Sequence, residues 1–317
     1  MSLRDRLPPT STRVMRALAV AAVVAQGGIA VTGSIVRVTG SGLGCPTWPE
    51  CFPGSLVPVA HPEITAVTQW IEFGNRLLTV AVVLVAAACL LAALNVRPRR
   101  PHLTLLALAQ PLGVVAQAVI GGFTVLLQLV WWSVAVHFAV SMVMVWLAVQ
   151  LVAATSDGAG ARRLTVPGAV RGLVAASTVV LAGLLIAGTL VTAAGPHAGD
   201  AATPRLELPV AALAQLHADL LFGYLGLLVG LGFTLRAVRA TRALQRRYGV
   251  LVGLVLAQGA LGGLQYALGV PEALVALHVL GATLVTIAAA ALWAGTAERP
   301  ADTPATPAST ALSPAAA

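Results

Sequence analysis

Residues 77–94 read LLTVAVVLVAAACLLAAL, a stretch without a single charged side chain. An α-helix rises about 1.5 Å per residue, so about 20 apolar residues cross the hydrocarbon core of a bilayer. With its apolar neighbours the stretch predicts a transmembrane helix at 71–95. Similar stretches lie at 14–36, 103–127, 131–154, 168–193, 209–233, 248–268 and 273–294.

The composition of the chain is that of an integral membrane protein. Of 317 residues, 58% are hydrophobic and only 9% are charged, whereas a soluble domain carries about 25% charged residues. Strand-like alternation is absent, which argues against an outer-membrane barrel. The sequence therefore predicts an all-α integral membrane protein with eight transmembrane helices embedded in the lipid bilayer.

The distribution of arginine predicts how the chain crosses the membrane. All 19 basic residues are arginine, and 16 of them fall in the N-terminal segment, the second, fourth and sixth connections and the tail. By the positive-inside rule both termini lie in the cytoplasm, with the chain in the plasma membrane as a multi-pass protein. The net charge of +8 thus reports topology, and no nucleic-acid partner is expected. The first apolar segment is too long for a signal peptide and is expected to remain as a helix.

The two halves of the chain repeat each other. A shift of 141 residues superposes two polar motifs, a shift of 155 a glycine motif, and a shift of 142 one pair of polar residues. The equivalent positions are Gln117 and Gln258, Gly121-Gly122 and Gly262-Gly263, His137 and His278, Gly33 and Gly188, and Asn75 and His217. An even number of spans per unit gives a parallel duplication, which predicts two pseudo-symmetric four-helix bundles.

The repeat and the composition divide the chain into five parts. These are a cytoplasmic N-terminal segment at 1–13, an N-terminal bundle at 14–155, a cytoplasmic linker at 156–167, a C-terminal bundle at 168–295 and a disordered cytoplasmic tail at 296–317. The tail prediction rests on its Ala, Pro and Thr content.

Three histidines lie inside predicted spans, where ionisable residues are costly and usually functional. His137, His217 and His278 fall at a similar depth, roughly 9–13 Å below the non-cytoplasmic surface. Two histidines on different helices can ligate one heme iron from opposite sides, which favours a heme between His217 and His278. The alternative is that each histidine merely hydrogen-bonds between helices.

Zinc is a weaker hypothesis for these histidines, because only Asp219 offers a further ligand near their depth. Asp219 is either an acceptor that orients a histidine or a buried acid that faces the bundle, and the sequence leaves both open.

Glu72, Asn75 and Arg76 share one face of the second predicted helix, at positions i, i+3 and i+4. In one interpretation Glu72 and Arg76 form an ion pair at the outer interface and have no chemical role. In the other, the carboxylate faces a bound substrate and transfers protons. Arg76 then tunes the pKa of the carboxylate or pairs with a substrate carboxylate.

The first external loop contains Cys45 and Cys51 in a glycine-rich stretch that faces an oxidising compartment, where a disulfide is expected. The pair either braces the loop or exchanges electrons. Cys89 lies alone within a span and is expected to pack there. His61, His102 and His197 lie in or near loops, where surface or capping roles are expected.

Taken together, a set of motifs spread over nearly the whole chain resembles the heme A synthase family. The motifs are residues 39–45 with Trp48-Pro49 and Cys51, Glu72, Gln117 with Gly121-Gly122, His137, residues 195–199, His217, and Gln258 with Gly262-Gly263 and His278.

The resemblance implies a function for each half. The C-terminal bundle would hold heme b as cofactor between His217 and His278. The N-terminal bundle would bind the substrate, heme O, near His137, Asn75 and Arg76. Two successive hydroxylations of a ring methyl group give a geminal diol, which loses water to leave the formyl group of heme A. Glu72 is the implied catalytic residue.

The resemblance also implies partners. Heme O would come from heme O synthase, and heme A would pass to an aa3-type cytochrome c oxidase or its assembly factors. An unidentified donor supplies electrons, and Cys45 and Cys51 form a disulfide with a redox or heme-transfer role.

The chain departs from the family at Asn75, where many members have a second histidine. The iron of the first site then has one protein ligand, His137, and either keeps an open position or binds more weakly. Two other classes remain as alternatives, namely a non-catalytic b-type cytochrome or heme carrier and a secondary transporter.

Overall fold

The computed structural model describes residues 9–300, and within that range the chain forms eight long helices and one pair of two-residue strands. The helices are α1 (Thr12–Val38), α2 (Ala66–Leu94), α3 (Pro101–Leu126), α4 (Trp131–Ala154), α5 (Gly168–Ala194), α6 (Val210–Ala237), α7 (Arg242–Ala267) and α8 (Glu272–Ala294). Each is long and apolar enough to cross a membrane. The prediction of an all-α, eight-span membrane protein is confirmed.

The predicted spans differ from the helices mainly at two starts. α2 begins at Ala66, five residues before the predicted start, because the Thr65 hydroxyl caps it by accepting from the Thr68 N–H at 3.3 Å. α7 begins at Arg242, where Thr241 accepts from the Leu244 N–H in the same way. Both helices extend beyond their apolar core, because a capped first turn remains helical whether or not its side chains are apolar.

Successive connections lie at opposite ends of the helices. We call the end with loops 39–65, 127–130, 195–209 and 268–271 the cysteine face, because it carries both loop cysteines. We call the other end, with segments 95–100, 155–167, 238–241 and 295–300, the arginine face.

The helices of the first half form a closed ring in which each helix packs against the next and α4 returns to α1. In the second half, α5 packs closely on α6 and α7 on α8, whereas α5–α8 and α6–α7 are packed more loosely. α8 also packs against α1 and α4, so it joins the halves. The arrangement as two pseudo-symmetric four-helix bundles stays a prediction.

Small residues allow this close packing, as expected for helices that associate in lipid without a hydrophobic driving force. A Cβ on Gly27 of α1 would lie 3.1 Å from the Thr283 methyl group of α8. Polar contacts also cross between the halves, since the Gln150 amide donates to the Ala290 carbonyl at 3.0 Å.

On the arginine face, the linker between the halves pairs with the segment after α8. Strand β1 (Arg163–Leu164) pairs antiparallel with β2 (Ala297–Glu298). The Arg171 guanidinium stacks 3.8 Å above the Trp293 ring and donates to the Thr296 hydroxyl. We call the pairing of β1 with β2 the linker clamp.

The linker clamp corrects part of the prediction for the tail. Residues 296–300 were expected to be disordered, but the backbone pairing of β2 orders them against the linker. Residues 301–317, and residues 1–8 of the N-terminal segment, lie outside the described residues.

On the cysteine face, Arg37 connects the end of α1 to the loop that follows α5. Its guanidinium donates to the His197 carbonyl at 2.8 Å and to the Thr192 carbonyl at 3.3 Å. The Gly42 N–H donates to the Gly199 carbonyl at 2.9 Å beside them. The first and second halves are therefore tied together at both faces.

We expect Arg37→Leu to lower the melting temperature of the detergent-solubilised protein by on the order of 5 °C, because it removes hydrogen bonds from a charged donor and leaves partly buried carbonyls unpaired. Arg99→Leu, at an exposed position in segment 95–100, serves as the control and should leave the melting temperature unchanged. Equal shifts for both variants would contradict this role of Arg37.

Candidate functional site

The structure brings His217 of α6 and His278 of α8 together. Their ring centroids lie 6.4 Å apart, with the ring planes tilted by 59°. A bond from an imidazole nitrogen to a metal is about 2 Å long, so two axial imidazoles on one iron have ring centres roughly 6 Å apart. The observed spacing therefore suits a metal held between the two rings.

The surroundings of His217 favour one tautomer of its imidazole ring. Its Nδ1 lies 3.0 Å from the Leu184 carbonyl of α5. A carbonyl only accepts, so Nδ1 carries the proton and Nε2 keeps the lone pair that a metal needs. A Cβ on Gly188 would lie 3.1 Å from Cε1 of this ring, so glycine provides the space in which the imidazole sits.

His278 lies in a similar cradle on the other side. A Cβ on Gly262 of α7 would lie 3.1 Å from its Cε1, and the Gln258 amide donates to its backbone carbonyl at 2.8 Å. Its Nδ1 is buried without a hydrogen-bond partner among residues 9–300. An orphaned nitrogen of this kind costs about 1–3 kcal/mol. The spacing and the two cradles fit a heme bound between the two rings.

The first half repeats one side of this arrangement around His137. A Cβ on Gly121 of α3 would lie 3.2 Å from its Cε1, and the Gln117 amide donates to its backbone carbonyl at 3.1 Å. Its Nδ1 is likewise buried and unpaired within the described part of the chain. Asn75 stands in the repeat where the second half has His217, and its Oδ1 accepts from the Thr32 hydroxyl at 2.7 Å.

Glu72 and Arg76 form the ion pair that the sequence suggests, at 2.6 Å, but the carboxylate is buried, with 5% of the residue exposed. The second carboxylate oxygen accepts from the Cys45 N–H at 2.7 Å. Arg76 also donates to the backbone carbonyls of Cys45, Thr47 and Glu50. The pair therefore anchors the cysteine loop to α2, which neither interpretation of the sequence anticipated.

The predicted disulfide between Cys45 and Cys51 is present, and both residues are fully buried. Its redox or heme-transfer role stays a prediction. Cys89 is buried as expected, and its thiol donates to the Leu18 carbonyl at 3.3 Å.

Both interpretations of Asp219, as an acceptor that orients a histidine and as a buried acid that faces the bundle, are wrong. It is exposed on the outer surface of α6, two residues from His217 and so on the opposite side of the helix, and it accepts from Gln215 at 2.7 Å.

The remaining histidines lie near helix ends, as the sequence suggests. The His197 ring contacts the Val270 carbonyl at 2.9 Å, which joins loops 195–209 and 268–271. His102 lies 3.7 Å from Asp157, and the ring of His61 stacks on that of Phe52.

Sequence reasoning missed three contributors, namely Leu184, Thr32 and Arg37. The repeat aligns the first two with Ile29 and Ala187 and so contained a signal for both. The sequence marked Arg37 only as one of the few arginines on the cysteine face.

Comparison with known proteins covers the first half of the arrangement and α5. A family model described as cytochrome oxidase assembly protein (COX15-CtaA) matches residues 16–207, which is more than half of the chain. The chain belongs to this family. The match includes the cysteine loop, Glu72 and His137, and it ends before α6, so His217 and His278 lie beyond it.

Two curated relatives of this chain are named heme A synthase. The protein of Geobacillus kaustophilus (strain HTA426) is 33% identical over 101 residues, which is 32% of this chain and 30% of the relative. That of Geobacillus thermodenitrificans is 30% identical over 101 residues, with the same coverage. The match thus spans less than a third of each relative's length. The resemblance to the heme A synthase family drawn from the motifs is confirmed.

We expect Arg76→Met to speed the opening of the disulfide by a mild reductant by about tenfold, because losing roughly 1.4 kcal/mol of local stability raises the open population by that factor. Labelling of Cys45 and Cys51 with a maleimide after reduction measures the rate. Glu63→Gln, an exposed acid in the same loop, should label at the wild-type rate. A wild-type rate for Arg76→Met would show that the ion pair does not hold the loop.

Proposed function

We propose that this chain is a heme A synthase that oxidises a ring methyl group of heme O to a formyl group. Family membership and the names of the two relatives support an enzyme connected with heme and oxidase assembly. The observation that carries the proposal is the 6.4 Å spacing of the His217 and His278 rings in glycine cradles. A heme carrier could use the same pair, and the buried Glu72 in the other half favours the enzyme over such a carrier.

In the second half, His217 and His278 would hold heme b as the resident cofactor. When bound, heme b supplies reversible one-electron transfer, which suits the delivery of electrons to an oxygenation. The contact of His217 with the Leu184 carbonyl orients the ring and keeps Nε2 free for the iron.

In the first half, His137 would hold the iron of the substrate heme O, with Asn75 and Arg76 near the same site. The chemistry would be two hydroxylations of the methyl group, each taking one O2, two electrons from the donor and two protons and releasing one water, to a geminal diol that loses water to give the formyl group. Glu72 is the proposed catalytic carboxylate, since it alone among the acids between residues 9 and 300 is buried. Its contact with the cysteine loop couples any movement of that loop to the carboxylate.

We further propose that the arginine face lies in the cytoplasm and the cysteine face outside the plasma membrane, since the positive-inside rule favours this orientation. The two halves, 14–155 and 168–295, act as a substrate bundle and a cofactor bundle. Heme O synthase and the aa3-type cytochrome c oxidase, or its assembly factors, are the proposed neighbours in heme transfer, and an electron donor completes the reaction.

Heme analysis of the purified protein tests this function. The protein is produced in cells that make heme O, purified in detergent, and its hemes are extracted and separated by chromatography. We expect the wild type to carry heme b together with heme O or heme A. His278→Ala should lose heme b, because one axial ligand is gone, and Glu72→Ala should accumulate heme O.

His61→Ala provides the matched control, because it removes an exposed loop imidazole and should leave all hemes unchanged. A wild type that carries heme b but never yields heme A would support the non-catalytic cytochrome instead. A wild type with no heme at all would rule out the ligand assignment and favour the transporter.

A further inference from the structure

The two halves differ on the helix pair that faces the shared histidine. A shift of 155 residues aligns α1 with α5, and a shift of 142 places Asn75 of α2 on His217 of α6. The equivalent positions are Ile29 and Leu184, Thr32 and Ala187, and Gly33 and Gly188. These positions lie around His217 in the C-terminal half, so the residues found there show what each half would offer to a bound iron.

In the second half, this pocket is filled by an imidazole. The His217 ring lies against Gly188, and its Nδ1 donates to the Leu184 carbonyl at 3.0 Å. Ala187 stands beside them and has no polar atom in its side chain to compete for that carbonyl.

In the first half, a threonine and an asparagine replace that imidazole. The Thr32 hydroxyl lies 2.7 Å from Asn75 Oδ1 and 3.2 Å from the Ile29 carbonyl, the counterpart of the one that orients His217. A Cβ added to Gly33 would meet no atom within 4 Å. At Gly33 the first half therefore has open space where the second half has the imidazole of His217 against Gly188.

The opposite side of the site is the same in both halves. His137 and His278 each lie against a glycine of the preceding helix, with Cβ distances of 3.2 Å and 3.1 Å. The backbone carbonyl of each also accepts a hydrogen bond from a glutamine side-chain amide, at 3.1 Å and 2.8 Å. Only one of the two sides of the site differs between the halves.

We propose that the first half gives heme iron a single imidazole, from His137, and leaves the opposite axial position open to a small exogenous ligand beside Gly33. This inference rests on the proposed function and deepens it by naming where the iron of the substrate heme takes a ligand that the protein does not supply. The Asn75 amide donates a hydrogen bond to that ligand.

The orientation of Asn75 follows from Thr32. Because the hydroxyl of Thr32 donates to Oδ1, the amide is turned so that its two N–H groups point elsewhere. No residue between 9 and 300 accepts from them, so they remain free for a ligand.

Carbon monoxide is the probe for the open position. It binds ferrous heme with a free axial site, and an iron already held by two imidazoles excludes it. The reduced wild type, loaded with heme in both halves, should show a carbon monoxide difference spectrum that disappears in His137→Ala. It should persist in the double variant His217→Ala with His278→Ala, which has no imidazole left to hold a heme in the second half.

A double variant, Thr32→Ala with Asn75→His, rebuilds the residues of the second half in the first. The new imidazole is tethered beside the iron at a high effective concentration, so carbon monoxide binding should weaken by at least about tenfold. The spin state should change in parallel, and an electron paramagnetic resonance spectrum of the oxidised protein reads it without turnover.

Gly33→Ala is the matched control for the imidazole introduced by the double variant. Added to the double variant, its methyl group would occupy the space of the ring, as a methyl group on Gly188 would against His217, and carbon monoxide binding should recover to the level of Gly33→Ala alone. Gly33→Ala alone should leave the melting temperature of the heme-free protein unchanged, whereas Gly188→Ala should lower it.

The outcomes separate this inference from the proposed function. Reduced wild type that holds two hemes and makes heme A but binds no carbon monoxide would overturn the open position and leave the enzyme assignment intact. Unweakened binding in a folded, heme-loaded double variant would also overturn it. A wild type whose heme content does not change in His137→Ala, and which makes no heme A, would overturn both.

Discussion

The close approach of an imidazole ring to a helix backbone is the contact on which the rest of this structure depends. Three helix pairs, α3–α4, α5–α6 and α7–α8, each place a histidine against a glycine, with 3.1–3.2 Å between the ring and the position of a missing Cβ. Because helices in lipid associate by fit of their surfaces, the separation of each pair is set where the ring meets the glycine. The depth and direction of the rings follow from that separation.

The cysteine face adds a second constraint, which links the sites through their loops. The cysteine loop is held from α2 by Glu72 and Arg76, and from the second half by the Gly199 carbonyl. The His197 carbonyl accepts from Arg37, while its ring reaches the loop that leads into α8. A displacement of one loop therefore acts on both halves, and a carboxylate buried under such a loop cannot move independently of it.

The sequence predicts the helices well because lipid leaves the backbone few alternatives, and long apolar stretches have to be helical. It predicts their starts less well, since Thr65 and Thr241 cap polar turns outside those stretches. The pairing of His217 with His278 was accessible through the repeat. The outward direction of Asp219 was not, because a lone polar residue does not show which helix face is covered.

The contacts of Thr32 and Glu72 illustrate the same limit. A threonine in an apolar helix ordinarily bonds to its own backbone, so its approach to Asn75 requires knowledge of how α1 and α2 meet. The role of Glu72 in holding the cysteine loop depends on the fold of that loop over the helix end. Local patterns carry no information about such contacts between separate segments.

The linker clamp has a consequence for the order of events during synthesis. Residues 163–164 pair with residues 297–298, which leave the ribosome only after all eight helices have been made. Until then the connection between the halves has no strand partner, and the first half completes its ring of four helices while the linker is still free. The linker clamp on the arginine face can therefore form only after translation has passed α8, and a chain truncated before that point lacks the clamp.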